Sequence, residues 1–348
     1  MKVLYAGMQK ENYDSKNRDS FEYINFFLTL KAMPGVEVFE HPFDRILEVG
    51  KKNWNIELFE IIKKEKPELL FVFMYTDELE TAILEKIRNT TTTKSIAWFA
   101  DDYWRFWNYS KNWASHFDWV VTTYSRAVEW YQKKGLGNIL LSQWACNTNN
   151  YKSLNLQKGI DVSFIGQYKS GRAKVIKQLK KVGISVETYG FGWPNGKISQ
   201  EKMIEIFSRS KINLNINARP GLLHPKVVSR IFFRKSINRI KVDLHLVDNL
   251  MAYFHFPIHH THARPFELAG CGSFVISGYS EDIDKYYRNG EEMVFYKSPD
   301  DLAEKIKYYL SHSEEREKIA VAGYKRTICE HTYQARFMEI FKKIGLNL

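Results

Sequence analysis

A short run of residues in the last third of the chain has the side chains of an anion site. The run from 261 to 276, THARPFELAGCGSFVI, predicts a short helix that begins at Pro265, ends at glycine and leads into a buried strand. Glu267 in its first turns is favourably placed against the helix dipole. The positive helix end, with Arg264 beside it, suits an anionic ligand, and a carboxylate there can accept two hydroxyls of a sugar ring. The residues leave a second interpretation open, a capped helix with a solvated Arg264–Glu267 pair.

An acidic pair, Asp101 and Asp102, follows a predicted buried strand at 95–100. Polar groups at the carboxyl end of a parallel strand face the ligand site of an α/β sheet. Asp102 is therefore the candidate catalytic residue, because it could orient an acceptor hydroxyl or act as a base. The pair could equally cap a helix N-terminus.

Four histidines between 255 and 262 pose the question of a metal site. His255 and His259 have the spacing of one helical face, but Pro257 between them would disrupt that helix. No acidic or cysteine partner stands at metal spacing, so we predict no metal site. His259 and His262 are candidates for a contact to phosphate or sugar. The three cysteines are far apart, which argues against a disulfide framework and against a thiolate zinc site.

The formal net charge is +11 over 348 residues, and part of it is local. Six basic residues lie between 226 and 241, with Phe232 and Phe233 among them: Lys226, Arg230, Arg234, Lys235, Arg239 and Lys241. This basic run has three interpretations: a solvated helix face, a contact with the acceptor or with an anionic membrane surface, or a nucleic-acid site. We rank nucleic acid last and do not expect it as a partner.

The composition is that of a folded protein without a membrane span. Hydrophobic residues make up 44% of the chain and aromatic residues 15%, and nothing in the composition indicates disorder. The longest apolar runs, such as Leu69–Met74, are too short to cross a bilayer. The first residues are too soon interrupted by charge for a signal peptide. We therefore expect a cytoplasmic protein, with peripheral contact at the inner membrane face as an option.

The elements that must position these residues alternate between strands and amphipathic helices, which is typical of parallel sheets covered by helices. The predicted strands are Lys2–Ala6, Val36–Phe39, Leu69–Tyr75, Ser95–Ala100, Trp119–Tyr124 and Ile139–Trp144 in the first half, and Asp161–Gly166, Ser185–Gly190, Ile212–Asn217, Ser273–Gly278 and Met293–Tyr296 in the second. The polar stretch 147–153 between the halves is the predicted linker. Residues 218–260 fit the alternation poorly and are predicted to form an insertion.

The chain length suits two domains. The predicted fold class is α/β, with two Rossmann-like domains that face each other across a cleft. We place the first domain at 1–152, the second at 153–328 with the basic insertion inside it, and a final helix at 329–348 that packs back on the first domain. This arrangement puts the carboxyl ends of the strands, and so the ligand site, at the cleft.

The 261–276 run resembles the E-A-M-A-x-G-x-P-V-I stretch of retaining GT-B glycosyltransferases, with Glu267, Gly272, Val275 and Ile276 on its fixed positions. Its form R-x-F-E-x-A-x-C-G is similar to the spore-maturation CgeB-like branch, of the glycosyl transferases group 1 type. Further segments resemble that branch in the same order along the chain: 161–166 with Arg172, 189–193, 210–216, 291–296, 302–310, 315–323 and 330–333.

The resemblance implies a GT-B fold whose second domain binds a nucleotide sugar. It implies that Glu267 holds the ribose hydroxyls and that Arg172 neutralises the diphosphate, with Lys169 as a weaker candidate. The donor-site residues that it assigns are Gly166, Lys169, Arg172, Gly190, Trp193, Arg264, Glu267 and Gly272. In this assignment Gly272 permits close backbone approach and the loop from Gly190 to Trp193 reads the base. Group 1 enzymes often have a second glutamate eight residues before the first; His259 stands there in this chain, so no catalytic carboxylate is assigned at that position.

The predicted function is a glycosyltransferase that moves a sugar from a nucleoside diphosphate sugar to a hydroxyl of a glycan, lipid or protein acceptor, with retention implied by the resemblance. GT-B enzymes usually leave the diphosphate to basic groups and helix ends, so no cofactor or metal ion is required. Two alternatives stay open. One is another GT-B nucleotide-sugar enzyme, an epimerase or a hydrolase; the other is a non-enzymatic binder of anionic polymer or of a membrane surface.

Overall fold

The computed structural model describes residues 1–217 and 220–346. Its strands in chain order are β1 (Lys2–Ala6), β2 (Glu37–Glu40), β3 (Leu69–Val72), β4 (Lys94–Phe99), β5 (Trp119–Thr122), β6 (Ile139–Leu141), β7 (Ile160–Ile165), β8 (Glu187–Tyr189), β9 (Ser210–Asn215), β10 (Phe233–Ser236), β11 (Arg239–Val242), β12 (Val275–Gly278) and β13 (Val294–Tyr296). Each of the predicted strands has a counterpart among these.

The α-helices are α1 (Leu28–Ala32), α2 (Ile46–Val49), α3 (Lys51–Glu65), α4 (Thr81–Thr90), α5 (Asp102–Arg105), α6 (Lys111–Trp113), α7 (Ser125–Gln132), α8 (Ser170–Lys181), α9 (Gln200–Arg209), α10 (Pro225–Val228), α11 (Leu246–His255), α12 (Arg264–Gly270), α13 (Pro299–Ser311), α14 (Ser313–Glu330) and α15 (Tyr333–Lys343). Short 3-10 turns lie at Glu11–Tyr13, Phe43–Arg45, Ala114–His116, Ser229–Ile231 and Ile283–Lys285, and π-helical turns at Tyr23–Phe27 and Phe106–Ser110. Over the described part of the chain, no helix combines the length and the apolar character that a membrane crossing needs.

The chain divides into two compact units that do not follow the sequence as two consecutive halves. Unit 1 comprises Met1–Gln143, Leu222–Phe256 and the chain from Arg336 onward; unit 2 comprises Trp144–Gly221 and Pro257–Ala335. Each unit has a parallel sheet with helices between its strands. The predicted α/β class, with two Rossmann-like units, is confirmed.

Unit 1 is built on a six-stranded sheet in the order β2-β1-β3-β4-β5-β6, with every neighbouring pair parallel. All four residues of β3 are buried, as expected for a central strand covered by helices on both faces. The final helix α15 belongs to this unit from Arg336 onward. Its Phe337 is buried and its ring lies 5.6 Å from that of Phe26 and 5.7 Å from that of Phe71.

Unit 2 is built on a five-stranded parallel sheet in the order β13-β12-β9-β7-β8. The chain runs from β7 to β8 on one side and then returns to β9 on the other side of β7. The strand order therefore reverses between β7 and β9. In open α/β sheets such a reversal leaves a crevice at the carboxyl ends of the strands, which is the usual place of a ligand.

The basic insertion differs from its prediction in two respects. The sequence assigned 218–260 to the second domain, but residues 222–256 belong to unit 1, and 218–219 lie outside the described residues. The contacts give the reason: Lys111 Nζ lies 2.7 Å from an oxygen of Asp248, and the Asn108 amide donates to Asn249 at 2.8 Å. The basic run is also not one helix face, because β10 and β11 form an antiparallel hairpin.

The boundary between the units also lies earlier than the predicted linker. Unit 2 begins at Trp144, so the polar stretch 147–153 lies inside it. The Cys146 amide donates to the His331 carbonyl at 2.8 Å, and the Tyr333 amide donates back to the Cys146 carbonyl at 3.2 Å. These backbone bonds tie the start of unit 2 to His331 and to the first residue of α15.

Candidate functional site

Arg172 lies at the point where the strand order of unit 2 reverses. It stands in the first turn of α8, which follows β7. Its Nε donates to the Ile216 carbonyl at 3.1 Å, just after β9, and its Nη1 donates to the Gln167 carbonyl at 2.9 Å, just after β7. The guanidinium therefore bridges the two strand ends that form the crevice.

A second arginine lies near enough to act on the first. Burial lowers the pKa of Arg172, and the positive charge of Arg264 lowers it further, whereas Tyr296 acts in the opposite direction. Arg264 is itself paired with Glu267 at 2.8 Å, so Arg172 is the cation at this place that an anion could neutralise. Phosphate oxygens are suitable partners because a planar guanidinium binds them through two parallel hydrogen bonds.

Polar groups after the neighbouring strands continue the crevice. The Asn217 amide donates to the Gly278 carbonyl at 2.9 Å, and the Asn215 amide donates to Ser277 Oγ at 2.9 Å. The Tyr296 hydroxyl lies so close to Gly278 that a Cβ on this glycine would stand 3.2 Å from it. Asn217 and Tyr296 are not among the site residues predicted from the sequence. The signal that could have found Asn217 is its place at the end of the predicted strand Ile212–Asn217, in which asparagines alternate with apolar residues.

The predicted helix at Pro265 is present as α12, with proline at its start. The Arg264 Nη1 lies 2.8 Å from Glu267 Oε2. Glu267 is 4% exposed, so the interpretation of a solvated pair is wrong for its carboxylate. Tyr151 also forms a hydrogen bond to Glu267; burial and then the Glu267 charge raise the pKa of this tyrosine well above its ordinary value. The carboxylate is thus held by two side chains within unit 2.

The predicted base-reading loop has a rigid construction. Gly190 has φ +122°, and a Cβ at this position would overlap the Gly166 carbonyl oxygen. Trp193 is buried and its Nε1 donates to the same Gly166 carbonyl at 2.8 Å. These contacts bring Gly166, Gly190 and Trp193 together, but they use the Trp193 side chain inside the unit. The exposed rings beside it are Phe191 and Tyr168, which the sequence analysis did not single out.

Three further residues predicted to contact the donor are exposed or only partly buried. Lys169 is exposed at the N-cap position of α8, near Arg172 in sequence. His259 is exposed, with its carbonyl accepting from the Glu281 amide at 2.8 Å, and His262 is partly buried. The described residues contain no cluster of three or more His, Cys, Asp or Glu side chains that could hold a metal ion.

Gly272 does not lie at the crevice. It has φ +68° just after α12, and its amide donates to the Ala269 carbonyl at 2.9 Å. It precedes β12, at the amino edge of a sheet whose ligand crevice is at the carboxyl edge. A Cβ on Gly272 would stand 2.7 Å from Ser153 Oγ. The close approach that this glycine permits is therefore to the chain itself, and the predicted donor contact is not supported.

Asp102 is in unit 1 and is completely buried. It is the first residue of α5, and Tyr131 donates its hydroxyl to Asp102 Oδ2 at 2.9 Å. Burial raises its pKa to about 6, against the lowering effect of hydrogen bonds from Ser110, Thr122 and Tyr131. Asp101 is the N-cap residue of α5 but makes no capping hydrogen bond through its side chain, so only the place of the pair at a helix start agrees with the capping interpretation. A carboxylate enclosed in this way does not reach an acceptor, so we assign it no chemical step.

Known proteins of one family are similar to the part of this chain that runs from Arg172 to α15. Residues 172–342 match the model of a family described as glycosyl transferase-like. Residues 172–342 are thus similar to that family. The spore protein CgeB of Bacillus subtilis strain 168 is 22% identical over 227 residues, which cover 62% of this chain and 64% of CgeB. The chain therefore spans less than two thirds of the length of this relative.

Solved structures extend the similarity to both units. Sucrose-phosphate synthase from Thermosynechococcus elongatus has a TM-score of 0.63 at 9% identity and covers 99% of each chain. Anabaena HepE, solved in complex with UDP and glucose, has a TM-score of 0.59 at 11% identity with the same coverage. At these identities the likeness concerns the fold. The GT-B fold and the CgeB-like relation that the sequence predicted are confirmed.

Proposed function

We propose that this chain is a glycosyltransferase that moves a sugar from a nucleoside diphosphate sugar to a hydroxyl acceptor, with retention at the anomeric carbon. One observation supports this proposal most directly. Arg172 joins the ends of β7 and β9 at the strand-order reversal, and Arg264 is near enough to lower its pKa. A diphosphate at the crevice would meet Arg172, with the Arg264–Glu267 ion pair nearby, at the place where α/β sheets bind ligands.

In the proposed reaction the bond between the sugar and the diphosphate breaks, and negative charge develops on the leaving phosphate. Arg172 would stabilise that charge through its guanidinium group. Stabilisation of developing charge by fixed positive groups is often the largest contribution to such a rate. Because Arg172 would supply positive charge at the leaving phosphate, the proposal requires no metal ion, and we expect activity to persist in EDTA.

The contacts of the base, the ribose and the sugar of the donor are proposed from the chemistry of the side chains near the crevice. Phe191 and Tyr168 are the exposed rings beside the Gly190 loop, and we propose that the base stacks on one of them. Glu267 would accept the ribose hydroxyls; an ionised carboxylate has about four lone-pair sites, and Arg264 and Tyr151 leave part of that capacity. UDP is the first nucleotide to test, because Anabaena HepE of similar fold was solved with it. His259 and His262 stay candidates for a sugar contact.

The acceptor is proposed to be a hydroxyl of a glycan, a lipid-linked glycan or a protein. We place the reaction in the cytoplasm, where a lipid-linked acceptor would lie at the inner membrane face. The loops after β1, β3 and β4 of unit 1 are the elements available for an acceptor, since they follow the carboxyl ends of parallel strands.

The decisive experiment compares nucleoside and nucleoside diphosphate binding by the parent protein and by Arg172→Ala. We expect UDP, GDP, TDP or ADP to raise the melting temperature of the parent protein, because a ligand at a hundred times its Kd adds about 2.7 kcal/mol of stability. Arg172→Ala should weaken diphosphate binding by roughly thirtyfold, as for a lost hydrogen bond to a charged group. Nucleoside binding should change much less.

Lys177→Ala is the matched control, because Lys177 is an exposed cation on the same helix. It should bind every nucleotide as the parent protein does. Equal losses for nucleoside and diphosphate in Arg172→Ala would contradict the phosphate role. If no nucleotide shifts the melting temperature, the proposed function is wrong. Product analysis with a labelled donor then separates transfer from epimerisation and from hydrolysis.

A further inference from the structure

The segment 222–256 of unit 1 concentrates exposed apolar side chains. Among the residues that the structure describes, 23 large hydrophobic side chains are exposed, and 11 of them lie in this segment. They are Leu223, Phe232, Phe233, Ile240, Val242, Leu244, Leu246, Val247, Leu250, Met251 and Phe254. Soluble proteins rarely expose large apolar patches except where they bind something.

Helix α11 has the reverse of the usual amphipathic arrangement. Val247, Leu250, Met251 and Phe254 recur at the spacing of one helix face, and that face is exposed, with Val247 at 75% and Phe254 at 62%. The opposite face packs on unit 1 partly through polar groups. Asn249 there is buried, accepts from the Asn108 amide at 2.8 Å and donates to the Ile231 carbonyl at 3.1 Å.

The hairpin of β10 and β11 likewise exposes apolar side chains and is attached to unit 1 by polar groups. Phe233 stands opposite Val242 and Lys235 opposite Ile240, so these four side chains share one face. Ile240 is 79% exposed and Val242 64%. The turn, in contrast, is attached to unit 1 by polar groups: Ser236 Oγ donates to Asp77 at 3.0 Å, and the Ile237 amide donates to Thr76 Oγ1 at 2.9 Å.

The segment has an excess of positive charge. It contains six lysines and arginines and two aspartates, a formal charge of +4. Both aspartates contact a basic side chain of unit 1. Asp248 pairs with Lys111 at 2.7 Å, and Asp243 is buried 2.7 Å from His245 Nδ1. The surface around the apolar side chains is therefore cationic.

We propose that segment 222–256 docks unit 1 on the surface of an anionic lipid bilayer. The outer face of α11 and the side chains of Ile240 and Val242 would enter the boundary between headgroups and acyl chains, and Lys226 and Arg239 would lie at the lipid phosphates. A second copy of the chain is the weaker occupant, because two surfaces of +4 charge repel each other. A nucleic acid is also weaker, since most of the exposed apolar side chains are aliphatic and offer no ring for a base to stack on.

The experiment is co-sedimentation of the full chain with vesicles of phosphatidylcholine, with and without phosphatidylglycerol. We expect binding to the anionic vesicles and its weakening by salt. Val247→Ser with Leu250→Ser and Phe254→Ser should reduce the partition coefficient at least tenfold. Their side chains are exposed, so the triple variant should keep the melting temperature of the parent protein. Lys226→Gln with Arg239→Gln should reduce partitioning by about fivefold for each charge removed.

Matched controls remove the same chemistry elsewhere. Leu47→Ser with Ile56→Ser and Met338→Ser changes three exposed apolar side chains outside the segment, and Lys52→Gln with Lys174→Gln removes two exposed charges. Both controls should partition as the parent protein does. Absence of binding to anionic vesicles, or equal losses in segment and control variants, would overturn the proposal. So would a concentration-dependent dimer that the triple serine variant abolishes in the absence of vesicle binding. Nucleotide binding is measured separately in unit 2, so failure of one proposal leaves the other standing.

Discussion

At the residue scale, Glu267 combines a structural contact with its proposed ribose contact, and two substitutions separate them. Glu267→Ala removes the partner of Arg264 and of Tyr151 together, so it should lower the free energy of unfolding by about 1–3 kcal/mol. Glu267→Gln keeps the shape and an acceptor for Tyr151 but loses the charge. It should weaken UDP binding about tenfold with a smaller loss of stability. Titration calorimetry and urea unfolding measure the two effects; a Gln variant that binds UDP like the parent protein would make Glu267 a purely structural residue.

Asp102 gives a prediction about pH. Its pKa is raised from 3.8 to about 6 by burial, so the folded state holds the proton more tightly than the unfolded chain does. Stability due to this group is therefore highest below about pH 4 and is lost as the pH rises to about 6. A pKa raised by this amount corresponds to a change of about 3 kcal/mol at most in the free energy of unfolding. Asp102→Asn should remove that loss, so the difference in unfolding free energy between variant and parent should grow in favour of the variant from pH 4 to pH 7. A constant difference over this range would contradict the assignment.

At the scale of elements, the strands were largely predictable and the hairpin was not. Buried parallel strands such as Leu69–Val72 are continuous apolar runs, which a sequence displays directly. Strands β10 and β11 contain arginine and lysine and have exposed faces, so the hydrophobic pattern that identifies a strand is weak there. Long-range packing decided the outcome, through the contacts of Ser236 and Ile237 with the loop at Thr76 and Asp77.

The candidate site shows the same division between local and long-range information. The helix start at Pro265 and the charged pair of Arg264 with Glu267 were readable because they are local. The participation of Tyr151 was not, since it comes from a coil more than a hundred residues earlier. Burial of Asp102 likewise depends on Tyr131 and Thr122 from other elements, and no local pattern reports it.

The loop after β8 offers a test of how an element is fixed. At Gly190 the backbone has φ +122° and a Cβ would overlap the Gly166 carbonyl oxygen, so Gly190→Ala should lower the free energy of unfolding by about 3 kcal/mol or more. Gly196 in the same loop has φ +64° with open space around it, so Gly196→Ala should cost about 1 kcal/mol from backbone strain alone. Urea unfolding measures both. Equal costs would mean that the contact with Gly166 is not a constraint, and the loop would then be less rigid than its bonds indicate.

At the scale of the whole molecule, the chain builds unit 1 from three separate segments. Segment 222–256 and the chain after Arg336 return to the unit that begins at Met1. A sequence read in order divides this chain into consecutive domains, because periodicity reports elements and not their partners. The prediction therefore assigned the insertion to the wrong unit. The final helix follows the second domain and has an apolar face, and the sequence correctly predicted that it packs on the first domain.

The return of α15 to unit 1 can be tested at two adjacent residues. Phe337 is buried between Phe26 and Phe71, so Phe337→Ala removes a large ring from the core of unit 1 and should cost about 3–5 kcal/mol. Met338 is the next residue and is 52% exposed, so Met338→Ala should change stability by about 0.5 kcal/mol or less. Thermal and urea unfolding give the comparison. Because the proposed donor site lies in unit 2, UDP affinity measured well below the melting temperature should be the same in both variants. Similar small effects of the two substitutions would show that α15 is not part of the unit 1 core, and the three-segment construction would then be wrong.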